Sequence, residues 1–204
     1  MREVWEVKMD DVSTKTALPS LPHAVCNHGS CGDSHGAVMV VGGIVEGGIE
    51  ARTWALQRGA EAWRQGPSLA FAVHGAKAVS EGSCALVHGG HREVEYGVRT
   101  RITGEVQRVD LEGMAPCVEA PSMLSPRSFV AAARMESGDV VVAGGYDSIL
   151  RPSALVEVLR KGKWSALPSL PSPLVRCEGD CWERTLWSSG DVAMMDEQRR
   201  RCTR

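Results

Sequence analysis

One short phrase recurs four times along this chain of 204 residues, and no other feature restricts its fold as much. The phrases read ALPSLP, QGPSLA, EAPSML and ALPSLP, and their Pro-Ser pairs begin at Pro19, Pro67, Pro121 and Pro168, separated by 48, 54 and 47 residues. A second marker keeps phase with the first. An apolar run ends in a glycine pair three times: VMVVGG at Gly42 and Gly43, CALVHGG at Gly89 and Gly90, and VVVAGG at Gly144 and Gly145. From proline to the first glycine of the following pair the offsets are 23, 22 and 23 residues. A third marker, a tryptophan four residues before the proline, stands at Trp63 and Trp164, while Lys15 and Cys117 occupy that slot in the other units. Self-similarity at a fixed period means one supersecondary unit repeated side by side, each covering the apolar flank of its neighbour.

The residues within a unit select strands. Asp139-Val140-Val141-Val142-Ala143 is short, β-branched and bounded by turn formers, which predicts a buried strand. The glycine pair ends it, since glycine tolerates positive φ and close backbone approach. Ala154 to Leu159 and Gly104 to Val109 alternate in polarity, as a half-buried following strand does. Gly162 then marks a hairpin, and Trp164 is expected to fill the space between adjacent sheets. Glu50 to Trp63 conflicts with this pattern, because its Ala, Glu, Gln and Arg residues favour helix. The phase of the flanking markers predicts strand there, and a propensity of tenths of a kcal/mol per residue is readily overridden by tertiary context. Many glycines (22) beside only two Phe and two Tyr also suit short strands and tight turns better than a helical bundle.

Charge excludes some partners. With 23 Lys plus Arg against 25 Asp plus Glu, the formal net charge is −2, so nothing draws the chain to nucleic acid. The longest mostly apolar stretch, Gly36 to Val45, is far short of the roughly 20 residues that cross a bilayer. The start, MREVWEVKMDD, lacks the apolar centre of a secretory signal, which predicts a cytoplasmic or nuclear protein with its cysteines as free thiols.

Catalytic and metal chemistry find little footing. Cys26, His28, Cys31 and His35 form a compact set, but their spacing fits no common zinc module and falls where the repeat needs a strand and hairpin. Cys177 and Cys181 lack a second pair nearby. Tyr96, in the long loop after Gly90, and Tyr146 are the chain's tyrosines, without the convergent His partners that copper requires. The histidines show no nucleophile spacing and the serines no elbow motif. The expectation is no catalytic residue, no metal and no cofactor.

A strand ending in Gly-Gly, a later tryptophan and a Pro-containing turn at a period near 50 resemble the kelch repeat of β-propellers. The fullest unit is SPRSFVAAARMESGDVVVAGGYDSILRPSALVEVLRKGKWSALPSLP, Ser125 to Pro171, which departs from the repeat at Leu159-Arg160, where an aromatic-acidic pair is usual. Weaker units begin near Leu21 and Ala70, and Val4 to Lys15 resembles the last strands of a preceding unit. The resemblance implies an all-β fold: a partial kelch-type propeller of about three to three and a half four-stranded blades over residues 1–176. The repeats run roughly 17–66, 67–120 and 121–171, followed by an irregular tail over 177–204. The PRSF opening, VVVAGGYD and Arg176 to Asp180 (RCEGD) are similar to plant F-box/kelch-repeat proteins.

That similarity implies a non-enzymatic adapter, whose propeller captures a protein client for a ubiquitin-ligase core. No F-box is recognisable in this sequence and about three and a half blades do not close a ring, so the expectation is this recognition part or a truncated relative, with a kelch-fold oxidase or sugar-converting enzyme, or a non-functional fragment, as alternatives. By the same analogy His91, Arg92, Arg127, Tyr146 and Arg151 would line the partner surface. For Arg127 pairing with strand carbonyls is an equal alternative. The basic run Arg199 to Arg201, with Arg204, reads as a solvated tail or a localisation signal.

Overall fold

The computed structural model describes residues 4–7, 15–32, 36–82, 84–95, 99–110 and 117–175, and these are all strand, turn and loop. Residues 177–204, with Cys177, Cys181 and the basic run, lie outside the described residues, as do His35 and Tyr96.

Strands β1 (Val4–Val7) and β2 (Lys15–Leu18) pair antiparallel. The first unit then supplies β3 (Gly29–Gly32), β4 (Val38–Val41), the short pair β5 (Ile44–Val45) and β6 (Gly48–Ile49), β7 (Thr53–Leu56) and β8 (Arg64–Gln65). Its sheet has the order β3-β4-β7-β8. The second unit supplies β9 (Val73–His74), β10 (Lys77–Glu81), β11 (Cys84–His88), β12 (His91–Glu95), β13 (Arg99–Ile102), β14 (Val106–Asp110) and β15 (Val118–Ala120). Here β10-β11-β14-β15 form the main sheet, and β13-β12-β9 a small second one. The third unit is β16 (Ala131–Arg134), β17 (Val140–Ala143), β18 (Val156–Arg160) and β19 (Lys163–Leu167), paired in sequence order. Three four-stranded antiparallel meanders thus follow one another in a propeller-like array. Their first strands lie side by side, with β10 against both β3 and β16.

Glu50 to Trp63 contributes β7 rather than a helix, because Thr53, Ala55 and Leu56 are buried against β4 and the core. The long loop expected after Gly90 is instead the hairpin β12–β13, anchored by His91 and Arg92 pairing with His74 and Val73 of β9.

Side-chain alternation divides the core into interfaces. Val40 points toward β1 and β2, in a cluster with Leu21, Val25, Leu56 and Trp63 against Val4 and Leu18. Its neighbours Met39 and Val41 point the other way, joining Ala78, Ala85, Val87 and Val109 of the second sheet. Val79 and Leu86 repeat the alternation, packing on Val140, Val142, Leu159 and Trp164 of the third. A strand period of two therefore glues each sheet to both neighbours. The tryptophans mark corresponding places. The Nε1 of Trp63 donates to the Pro19 carbonyl and that of Trp164 to the Pro121 carbonyl, each at 2.7 Å.

The glycine pairs occupy equivalent strand ends. The first N–H donates to the carbonyl preceding the third strand of its own sheet: Gly42 to Arg52, Gly89 to Glu105, Gly144 to Leu155. The second donates across the unit boundary, from Gly43 to Val73 at 2.8 Å, Gly90 to Arg127 at 2.9 Å and Gly145 to Leu174 at 2.6 Å. At the first glycine of each pair φ is 57°, 61° and 66°, and an added Cβ would collide with the carbonyl oxygen of Val73, Arg127 or Leu174. Gly89→Ala is therefore expected to destabilise by about 2–4 kcal/mol, combining left-handed strain with a backbone clash. Gly47→Ala, whose Cβ meets nothing within 4 Å, should stay near neutral in the same urea titration.

Candidate recognition surface

Loops after the glycine pairs and the connectors that lead into each first strand share one end of the array. The bond from each second glycine to the next connector ties them together. Each connector contains a left-handed residue two positions before its strand: Asn27 (φ 52°), Gly75 (φ 63°) and Phe129 (φ 52°). The Gly75 N–H donates to the Asn27 carbonyl at 2.8 Å, and the Phe129 N–H to the Gly75 carbonyl at 2.7 Å, so a backbone belt runs from unit to unit. Gly75 leaves room for the Phe129 ring, which an added Cβ there would strike.

Aromatic side chains gather on this belt. His91 stacks on His74 with ring centroids 4.7 Å apart and planes 7° from parallel. Phe129 meets both histidines, at 6.2 and 6.0 Å, and Tyr146 meets Phe129 edge-on at 6.3 Å. Two of the residues expected at a partner surface, His91 and Tyr146, are thereby brought into one half-buried cluster through Phe129. Burial, reinforced by the charge of His91, pushes the His74 pKa down to about 4, and burial also lowers that of His91. The rings therefore stand neutral at neutral pH.

Arg92 is half-buried and engaged within the second unit, bonded to both Glu105 oxygens, with its guanidinium carbon 4.1 Å from the Phe71 ring centroid. Arg151 is exposed at the end of a tight loop. The Asp147 carboxylate accepts the Ile149 and Arg151 amides at 2.9 Å each, and the Asp147 N–H donates to the Arg151 carbonyl at 3.0 Å. Ile149 and Leu150, each 61% exposed, project from that loop.

Arg127 corrects the expectation of a surface role, since it is fully buried. Its Nη1 donates to the carbonyls of Gly144 and Leu155 at 3.0 and 2.7 Å, and Nη2 lies 3.0 Å from Glu157, itself 2% exposed. Glu157 in turn accepts the amides of Leu124 and Ser125, pinning the connector to the third sheet. The second unit performs the same task without charge, where Gln107 accepts the Ala70 amide at 2.8 Å and Val73 holds the place of Arg127.

Sequence reading missed His74, Phe129, Ile149 and Leu150. The first two carry no marker of the repeat, although Phe129 stands at the same place as Asn27 and Gly75. Ile149 and Leu150 are visible as an apolar pair between Asp147 and Pro152, a turn-like setting where burial is unusual. Of the cysteine-histidine set, Cys26 is exposed and bridges Ile44, and Cys31 lies within β3. Among the described residues no three His, Cys, Asp or Glu side chains converge as a metal site.

No protein-family model and no curated protein matches the sequence. The fold is matched by 168 chains of known structure. One, described as "Structure of YjhT", superposes with a TM-score of 0.67 at 15% identity, over 85% of this chain and 64% of that one. The chain therefore spans under two thirds of that structure's length, and the likeness is one of propeller-like fold. Among the described residues no helix is long and apolar enough to cross a membrane.

Glu157→Gln should destabilise by about 3–5 kcal/mol, because it leaves the buried Arg127 charge uncompensated. The double variant Arg127→Val/Glu157→Gln recreates the second unit's pair and should recover most of that loss, a coupling that a double-mutant cycle in urea reads directly. His88 offers a pH test. It ends β11 fully buried against the Trp164 ring at 5.7 Å, and burial lowers its pKa to about 3. Because the unfolded chain takes up this proton first, stability should fall as pH drops from about 6.5 toward 3, by up to about 1.4 kcal/mol per pH unit. His88→Val, which copies Val41 of the first unit, should flatten that part of the profile.

Proposed function

We propose that this chain is part of a kelch-type propeller serving as a protein-interaction module, the client-recognition portion of an F-box/kelch ubiquitin-ligase adapter or of a truncated relative. The observation that carries this reading is the loop Asp147 to Arg151. It holds two apolar side chains outward, beside the exposed Arg151, on a frame of four internal hydrogen bonds. An exposed apolar pair on a rigid loop is what a partner's pocket takes as an anchor, at small entropic cost because the loop is ordered beforehand. Arg151 beside it favours a client with an acidic group at the pocket's edge. The neutral aromatic cluster His74, His91, Phe129 and Tyr146 supplies further contact area of the kind enriched at interfaces. The kelch assignment rests on the phase of the Pro-Ser phrases, glycine pairs and tryptophans, and the adapter role on the likeness to plant F-box/kelch sequences.

Affinity capture from the native cell tests the reading, scored for a client protein and for a ubiquitin-ligase core. The paired substitution Ile149→Ser/Leu150→Asn, with Asn chosen because it tolerates the left-handed backbone at Leu150 (φ 61°), leaves the core untouched. Its stability should stay within about 0.5 kcal/mol of the parent. Client capture should drop by about tenfold or more. Undiminished capture would remove this loop from the interface, and absence of any ligase core would remove the adapter role.

A further inference from the structure

The three units repeat their backbone so closely that each serves as a reference for the others, and one buried position breaks their rule. Thr103 and Ser153 hold equivalent places, with amides donating to the carbonyls of Gly90 and Gly145 and hydroxyls accepting the amide two residues on, at 3.1 and 3.2 Å. The corresponding residue of the first unit, whose amide donates to Gly43, is Glu50. A small hydroxyl has been replaced there by a carboxylate that is 6% exposed, an expensive exchange unless the charge does something.

Glu50 holds two side chains. Its Oε2 accepts Arg52 Nε at 2.6 Å, and its Oε1 lies 3.0 Å from His23 Nε2. His23 is further fixed by the edge of the Trp54 ring, 5.5 Å away. Arg52 and His23 both line a cleft of about 270 Å³, between the connector at Ala24 and the β5–β6 turn at Val45, Glu46 and Gly47. Arg52 is 44% exposed. Its Nε is held by Glu50, and its two Nη groups have no partner among the described residues, which leaves them available to a ligand in the cleft that Arg52 lines.

We propose that this cleft is a binding site for a single carboxylate, received by the Nη groups of Arg52, with Glu50 and His23 as positioning residues. Glu50 itself is buried and is not among the residues that line the cleft. Glu46, exposed in the turn at the rim, opposes a second negative charge and so disfavours phosphate and dicarboxylates. Val45 and Ala24 give the carbon attached to the carboxylate an apolar wall. The carboxylate comes either from a small organic acid or from an acidic side chain of a protein partner. The cleft belongs to the first unit and stands independently of the loop at Asp147 to Arg151.

The test is an NMR titration of the full chain with propionate, with the peptide acetyl-Ala-Glu-Ala-amide and with inorganic phosphate, following the Arg52 Nε–H and His23 ring signals. Saturable shifts are expected with both carboxylates at millimolar affinity, and weaker ones with phosphate. Arg52→Gln should reduce carboxylate affinity by about tenfold or more. Glu46→Gln should raise it by a factor of about two to five. Glu50→Ser restores the hydroxyl-bearing type of the other units and should fold, yet bind about three- to tenfold more weakly because Arg52 is no longer held. A peptide more than about tenfold tighter than propionate identifies a partner's side chain as the source, and equal affinities identify a small acid. No saturable shift up to about 100 mM, tighter binding of phosphate, or Glu50→Ser with lowered melting temperature but parental affinity would each overturn the proposal.

Discussion

The hydrogen bond from the second glycine of each pair to the next connector is the contact on which the array depends. It is one backbone N–H per unit, yet it fixes where the following module starts, and every interface that follows inherits the position. A side chain at the first glycine would occupy the acceptor's place, so the sequence is held to glycine by a lack of room as much as by φ. The belt through Asn27, Gly75 and Phe129 repeats the tie nearer the first strands. With both ties in place, alternate residues of β4 and β11 fall into successive interfaces, and the core forms as slices between sheets.

Once the backbone is standardised, differences between units become informative. Gln107 and Glu157 both hold a connector amide, but Glu157 requires a buried cation and Arg127 supplies it, while Gln107 needs none and Val73 stands in the arginine's place. Charge enters as a matched pair, which keeps the desolvation of either ion compensated. Glu50 follows the same logic with its partners turned outward, so that the compensating cation lies in a cleft. The buried structural pair and the cleft site thus differ in where the arginine ends.

Rigidity at the loop end follows from the same ties. Asp147 closes its loop on its own backbone, and Arg92 and Glu105 brace the β12–β13 hairpin against Phe71. Side chains that project from such loops reach a partner with little ordering left to do. Ile149 and Leu150 project from such a loop, which is why the proposed recognition role falls to them.

Much of the architecture is legible along the chain, because repeat phase is a property of sequence. The positions of Gly42, Gly89 and Gly144 relative to their prolines set the strands, and the same phase identifies β7 against the helix-favouring composition of Glu50 to Trp63. The tryptophans declare themselves as core by size and spacing. What a side chain does at the loop end is not written that way. Arg127 and Arg151 are both arginines near a glycine pair, and only burial separates the one locked beneath Gly144 from the one in solvent. Phe129 crosses to the neighbouring unit because Gly75 leaves it space, a relation between residues 54 apart in sequence. Period and polarity are local and determine the modules, whereas function at their rim depends on distances between modules, which exist only once the chain has stacked.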